Sequence, residues 1–542
     1  MVVPLLPDSA PFSGAQRAWL NGFFAGLLNF DANGHAGGFA GAGAASAVAT
    51  LAPPEVEEEE FPWHDPTLDL DERLTLAEGK PTERKLMAAM AQLDCGACGY
   101  LCQTYSEAIA RGEEKDLNKC TPGGKPTARK LKELVAAGPA NGAAKANGTH
   151  NGNGAVAKAN GVVAPAKSTY NRTNPFPAKL LDCRPLNRPG AVKDTRHVMI
   201  SLAGSGLTYE PGDALGVFPE NCPELADEIL AALGAAADEP LPAADGSPRR
   251  LRDALIQEYA LARPSADLIE LLAGCAADPV DAQQLKLLID NDEDEWIETA
   301  DVVDLLYRFP SARPPAEAFL RSLAKLQPRL YSISSSLRAH PEEVHLTVGV
   351  VRYEHGSRKR KGVASTFLAD RLTGGGVLRV FIQGAHKFRL PDRGDTPVIM
   401  VGPGTGIAPF RAFLEERHAA QAPGKNWLFF GDQCQATDFL YEEELNGYQK
   451  HGLLTRLDTA FSRDQKEKIY VQNRMLHRAS DLWNWLEEGA HFYVCGDAKR
   501  MASDVDRALH EVVASQGGLD AAAAKAYVAN LSKTNRYQRD VY

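Results

Sequence analysis

From about residue 396 onward, apolar runs that stop at a glycine recur as "PVIMVG", "WLFFGD" and "FYVCGD", separated by helical patterns. Uniformly apolar strands alternating with helices need cover on both faces, and a parallel sheet is the arrangement that gives it. Residues 396–542 are therefore expected to form a parallel α/β domain. In "VIMVGPGTGIAPFRAFLEER", Gly402, Gly404, Thr405 and Gly406 fall between strand and helix, where free N–H groups suit a pyrophosphate. Such glycines also serve simply to pack a helix on a sheet. Further on, "FSRDQKEKIYVQ" brings Ser462, Arg463, Lys468, Tyr470 and Gln472 together around Ile469 and Val471. These cationic and hydroxyl groups can grip a 2'-phosphate, or make a solvated basic loop.

Before this domain the texture is different. "HVMISL", "GDALGVF", "RLYSISS", "VHLTVGVVRY" and "VLRVFIQG" are rich in Val, Ile and aromatic residues and read as strands. Helical patterns fill residues 220–325. Residues 173–395 thus read as a β domain with a helical insertion.

Residues 138–168, "GPANGAAKANGTHNGNGAVAKANGVVAPAKS", contain no aromatic residue and cannot bury a core, so a flexible linker is expected over 137–172. Ahead of it, a compact unit over residues 61–136 holds Cys95, Cys98, Cys102 and Cys120, flanked by the helical patterns "PTERKLMAAMAQL" and "TARKLKELVAA". The other five of nine cysteines are scattered singly. Four thiolates in one short run with glycines between them suit an iron–sulfur cluster or tetrahedral zinc better than a disulfide framework. At the start, "SGAQRAWLNGFFAGLLNF" places large apolar residues at helical spacing with little nearby to pack on. Residues 1–60 are accordingly expected to hold a docking or oligomerisation helix and an acidic segment.

A chain of 542 residues with net charge −11 gives no argument for nucleic-acid binding, and no apolar stretch is long enough to span a membrane. Without a basic, apolar leader, the expected compartment is the reducing cytoplasm, which favours thiolate ligation.

The series "YEPGDALGV", "RLYS", "TVGVVRY", "GVAS", "GPGTGIAPFRAF", "GKNWLFFGD", "FSRDQKEKIYVQ", "YVCGDAKRM" and "RYQRDVY", in this order, resembles the ferredoxin-NADP reductase superfamily, and within it the sulfite reductase flavoproteins. The resemblance implies a multidomain fold in which an FAD-binding antiparallel β-barrel precedes the NADP-binding α/β domain. It implies FAD contacts at Arg329, Leu330, Tyr331 and Ser332, at Thr347, Val348, Gly349 and Tyr353, and at Gly362, Val363, Ala364 and Ser365. Tyr331 and Tyr542 would stack on the flavin, and Ser332, Cys495, Asp540 and Tyr542 would line the hydride-transfer pocket, with Cys495 positional and not nucleophilic. Asp504 is similar to a family NADP contact. The N-terminal segment resembles one used in assembly.

The family's FMN domain has no counterpart here, so FMN is not expected; the cysteine unit stands in its place. That unit resembles small 4Fe-4S domains with "CGxCGY" and "CxPGG", with one residue fewer between Cys98 and Cys102. The resulting expectation is a route from NADPH through FAD and a 4Fe-4S cluster to a sirohaem sulfite reductase hemoprotein. The alternatives are another acceptor, such as a nitrite or nitrate reductase or a ferredoxin, and a zinc-bound assembly module with direct transfer from FAD.

Overall fold

In a computed structural model, residues 61–63, 68–92, 100–120, 122–137, 168–242, 248–290, 295–385, 387–498 and 500–542 are described. The expected N-terminal docking helix, Cys95, Cys98 and most of the expected linker lie outside these residues.

The cysteine unit is helical. Helices Leu70–Leu76, Thr82–Ala88, Cys102–Ala110 and Gly124–Ala136 enclose a small core of Trp63, Leu86, Met87, Met90, Tyr105, Ile109 and Leu131. Asp69 starts the first helix with a reciprocal cap to Glu72. The second helix is shorter than its apolar pattern predicts. Gln92 takes a positive φ of 60° and turns its amide onto the carbonyls of Met87 and Met90, satisfying groups that a longer helix would have bonded itself.

The tail of the expected linker is not free chain. Ser168 donates to the Ser205 carbonyl at 2.9 Å, Arg172 reaches Gln327 at 3.1 Å, and Tyr170 packs edge-on against Phe176.

Strands β1 (Phe176–Pro185), β2 (Thr195–Ser201) and β3 (Ala214–Phe218) open the antiparallel region. Helices from Pro223 to Ser322 then form the insertion around their own core, which includes Leu255, Leu272, Leu305, Phe309 and Phe319; a small pair, β4 (Pro240–Pro242) and β5 (Pro248–Arg250), lies among them. The main sheet resumes with β6 (Arg329–Ser332) and β7 (Glu343–Gly349) and, after the hairpin β8 (Arg352–His355) and β9 (Arg358–Lys361), ends with β10 (Val377–Gln383). Its order is β6-β3-β10-β1-β2-β7, antiparallel throughout, and an isolated antiparallel bridge between Ile333 and Leu346 links its two edges. Two features differ from the sequence reading. "VHLTVGVVRY" is not one strand: the chain leaves the sheet after Gly349, where the Val351 carbonyl accepts from Gly362 and its N–H donates to the Ser365 hydroxyl. The central strand β1 also went unread, because proline occurs at both ends and Lys179, Asp182 and Arg184 interrupt its apolar pattern.

The C-terminal domain is the expected parallel sheet, β11 (Val398–Val401), β12 (Asn426–Asp432), β13 (Arg456–Phe461), β14 (His491–Gly496) and β15 (Tyr537–Val541), in the order β13-β12-β11-β14-β15. Helices on both faces bury all of β11 and β12. Among the described residues no helix is long and apolar enough to cross a membrane.

A buried polar network joins this domain to the antiparallel one. Arg411, on helix Ala408–Ala419, donates to the Ser334 carbonyl at 2.6 Å and pairs with Glu415 (2.7 Å) and Glu444 (2.9 Å). Glu415 also receives the Ser336 N–H and sits 3.0 Å from His340. Tyr441 bonds both His197 and Thr347. Burial pushes His197 down to about 2 and His345 to about 4, so both rings are neutral at pH 7.

Candidate active site

The glycine turn shows why these positions carry no side chain. A Cβ on Gly406 would lie 2.1 Å from the Cys495 carbonyl, and one on Gly402 would collide with Phe410 and the Gly406 carbonyl. Gly404 has a φ of +58°. The turn thus presses against the end of β14, with helix Ala408–Ala419 running away behind it.

Parallel pairing of β14 with β15 places Cys495 opposite Asp540. From the other domain, the Ser332 hydroxyl donates to Asp540 Oδ2 at 2.7 Å, and Cys495 Sγ lies 3.7 Å from the same oxygen. Burial raises the Cys495 thiol, and Asp540 raises it further, so the sulfur holds its proton as a donor. Burial also raises the Asp540 carboxyl, an effect that the two donated hydrogen bonds partly offset. Beside them, the Tyr542 N–H donates to the Gly496 carbonyl and its hydroxyl meets Thr405 at 3.1 Å. The ring is half exposed, and Gly349 faces the same place, since its Cβ would touch the Thr405 methyl at 3.4 Å. Ser332, Cys495, Asp540, Tyr542, Thr405 and Gly349 therefore converge where the two sheets meet.

Other expected residues are placed less directly. Tyr331 is half-buried on β6, and Arg329 bonds the Gln327 carbonyl at 3.0 Å. Thr347 is spent on Tyr441, and Val348 points into the core of the antiparallel domain, so neither side chain is available to a ligand. Tyr353 stands exposed on the β8–β9 hairpin. Gly362 caps the short helix Val363–Thr366, whose Ala364 and Ser365 are buried; Arg371 braces it through the Val363 carbonyl and the Thr366 hydroxyl.

Beyond β13, Ser462 and Arg463 bond backbone groups of Asp432 and Gln433, while Arg463, Lys468 and Tyr470 are exposed on one loop. Neither Arg463 nor Lys468 has an ion pair among the described residues. Val471 is turned into the core with Ile469 beside it. Gln472 donates to Asp504 at 3.1 Å, uniting two expected cofactor residues.

In the cysteine unit, Cys102 begins a helix and Cys120 ends the following loop; both are buried in one apolar cluster. A Cβ on Gly123 would come 3.1 Å from Cys120 Sγ, so backbone wraps closely there. Two buried thiols and close-wrapped backbone fit a thiolate-bound inorganic group.

Comparison with known families agrees with this layout. Residues 168–367 match the FAD binding domain model, and residues 400–507 match the oxidoreductase NAD-binding domain model. The chain thus carries a stretch that matches a flavin-binding domain, followed by one that matches a nicotinamide-binding domain of oxidoreductases. More particularly, it is 46% identical over 380 residues to the sulfite reductase [NADPH] flavoprotein alpha-component of Bacillus subtilis (strain 168). It is likewise 46% identical over 379 residues to that of Escherichia coli O157:H7. Each alignment covers 69% of this chain and 62% of the relative. The chain thus spans about three fifths of the length of these curated relatives. Residues 90–122 match a model described as a putative Fe-S cluster, and that span contains all four clustered cysteines. It supports iron–sulfur over zinc.

The sequence reading missed Lys193 and Asp432, which meet at 2.6 Å beside the glycine turn. A charge closing the apolar strand "WLFFGD" was a signal for Asp432; Lys193 had none.

Proposed function

We propose that this chain is an NADPH-dependent FAD oxidoreductase that donates electrons, through its own iron–sulfur unit, to a sirohaem sulfite reductase hemoprotein. The observation that carries the proposal is the convergence of Ser332, Cys495 and Asp540 from two domains beside Tyr542 and Thr405. Bound FAD would convert a two-electron hydride donor into single electrons, and a cluster would carry them onward.

The residues divide this work. Arg329, Leu330, Tyr331, Ser332, Gly349, Tyr353 and Gly362 to Ser365 hold the FAD, with Thr347 and Val348 contributing backbone only. The two sheets form an FAD-binding barrel over residues 173–395 and an NADP domain over residues 396–542. Ser332 is held by Asp540, and its hydroxyl oxygen would lie beside the bound flavin. Cys495 keeps its proton and helps hold Asp540 in place. Tyr542 would cover a face of the bound flavin and would have to move aside for the nicotinamide. Gly402 to Gly406 receive the diphosphate, Ser462, Arg463, Lys468, Tyr470 and Gln472 receive the 2'-phosphate end, and Asp504 holds Gln472. Cys95, Cys98, Cys102 and Cys120 ligate the cluster within residues 61–136, and residues 1–60 serve assembly in the cytoplasm.

The test is analysis of the purified chain for iron, acid-labile sulfide, FAD, FMN and zinc, with anaerobic titration by NADPH. The expected result is FAD with iron and sulfide in matching amounts, bleaching by NADPH, and an iron–sulfur EPR signal after dithionite. Zinc without sulfide would end the relay, and a flavin unmoved by NADPH would end the reductase reading.

A further inference from the structure

The pair of Lys193 and Asp432 has no part in the roles above, although it sits at the glycine turn. Asp432 closes β12 with its side chain 1% exposed. Its Oδ1 accepts from Lys193 Nζ at 2.6 Å and from the Gln433 N–H at 2.7 Å, whereas Oδ2 is buried without a hydrogen-bond partner among the described residues. That unpartnered oxygen faces the turn: a Cβ on Gly404 would lie 3.8 Å from Asp432 Oδ2 and 3.8 Å from Lys193 Nζ. Burial raises the Asp432 carboxyl, and Lys193 works against that rise.

Lys193 comes from the antiparallel domain, on the segment between β1 and β2. The same segment is tied to the α/β domain by Asn187 to Asp438 at 2.8 Å and by Arg188 to Glu442 at 2.5 Å. The Lys193 side chain is 42% exposed, so its ammonium touches the buried carboxylate and retains donors toward solvent and the turn.

A carboxylate beside a turn that presents N–H groups to a diphosphate has the wrong sign, because like charges at this spacing repel. We propose that Lys193 is a positioning residue for the dinucleotide diphosphate: it masks Asp432 and directs its free ammonium hydrogens to the phosphate oxygens at Gly404. The diphosphate site is then completed by the opposite domain. This rests on the NADPH reading above. A plain tie between domains would hold the same two residues together but would not distinguish ligands with a diphosphate from ligands without one.

The experiment measures equilibrium binding of NADP+ and of adenosine 2'-monophosphate, which has no diphosphate, to the FAD-loaded full chain. Lys193→Met is expected to weaken NADP+ by roughly 10-fold or more and to leave the monophosphate within about 2-fold. Adding Asp432→Asn to it is expected to recover most of the loss, since the repelling charge is gone. Equal weakening of both ligands, unchanged NADP+ binding, or no recovery in the double variant overturns the proposal. Should the Lys193→Met chain not fold, Asp432→Asn alone decides: NADP+ binding kept or tightened supports the proposal, and weakened binding overturns it. If the unaltered chain binds neither ligand, the NADPH reading itself falls.

Discussion

The two-sheet half and the cysteine unit place their candidate residues by opposite means. In the cysteine unit the candidate ligands lie within one short run, and a few helices around Trp63, Tyr105 and Leu131 suffice to bury two of them. In the two-sheet half, Ser332 and Asp540 are 208 residues apart and belong to different sheets. Their meeting requires β6, β15 and the network around Arg411 all to be in place. The local site depends on its own residues, whereas the dispersed site depends on how two domains are held.

That contrast sets the expected effects. Cys98→Ser should have the largest: reduction of the hemoprotein acceptor falls by more than about 100-fold, while stopped-flow reduction of FAD by NADPH stays at the unaltered rate. Retained acceptor reduction would remove the cluster from the route. Asp540→Ala should do the converse, slowing hydride transfer by roughly 100-fold with FAD content unchanged, because Ser332 and Cys495 lose their common partner. A normal rate would make the constellation structural only.

Arg463→Ala should raise the KM for NADPH by roughly 10-fold and leave NADH unaffected, since only NADPH carries the 2'-phosphate. Equal effects on the two would remove Arg463 from that role. Smaller still is an acid effect. His345 is held at about 4 by burial, so between its ordinary value near 6.5 and pH 4 the unfolded chain takes up a proton that the folded one refuses. Stability is therefore lost as pH falls through that window, by at most about 1.4 kcal/mol per pH unit from this group. His345→Gln should flatten the fall in Tm between pH 6.5 and 4; an unchanged slope would mean that His345 does not contribute to it.

Much of this architecture was legible in the sequence. The parallel sheet announced itself because β11, β12 and β14 are apolar on both faces, and the insertion because its helices keep a regular apolar spacing over about one hundred residues. β1 was hidden because charged residues break its pattern and only its position between β10 and β2 makes it central. At the site, motif order nominated Ser332, Cys495, Asp540 and Tyr542, which the fold brings together, and it also nominated Thr347, whose hydroxyl is already taken by Tyr441. Lys193 and Asp432, 239 residues apart, could not be paired by any local pattern. Such a contact exists only once two domains have docked.

The helix Ala408–Ala419 begins at the glycine turn, and its Arg411 donates to the Ser334 carbonyl, two residues beyond Ser332. One rigid rod thus has its tip at the nucleotide turn and its flank bolted to the strand that carries Tyr331. On the proposed reading, a ligand that moved the rod would also move the strand proposed to hold the flavin, and by thermodynamic reciprocity occupancy there would alter affinity at the turn by the same factor. The two proposed cofactor sites would then be coupled equilibria, with Arg411 and Glu415 as the shared bearing.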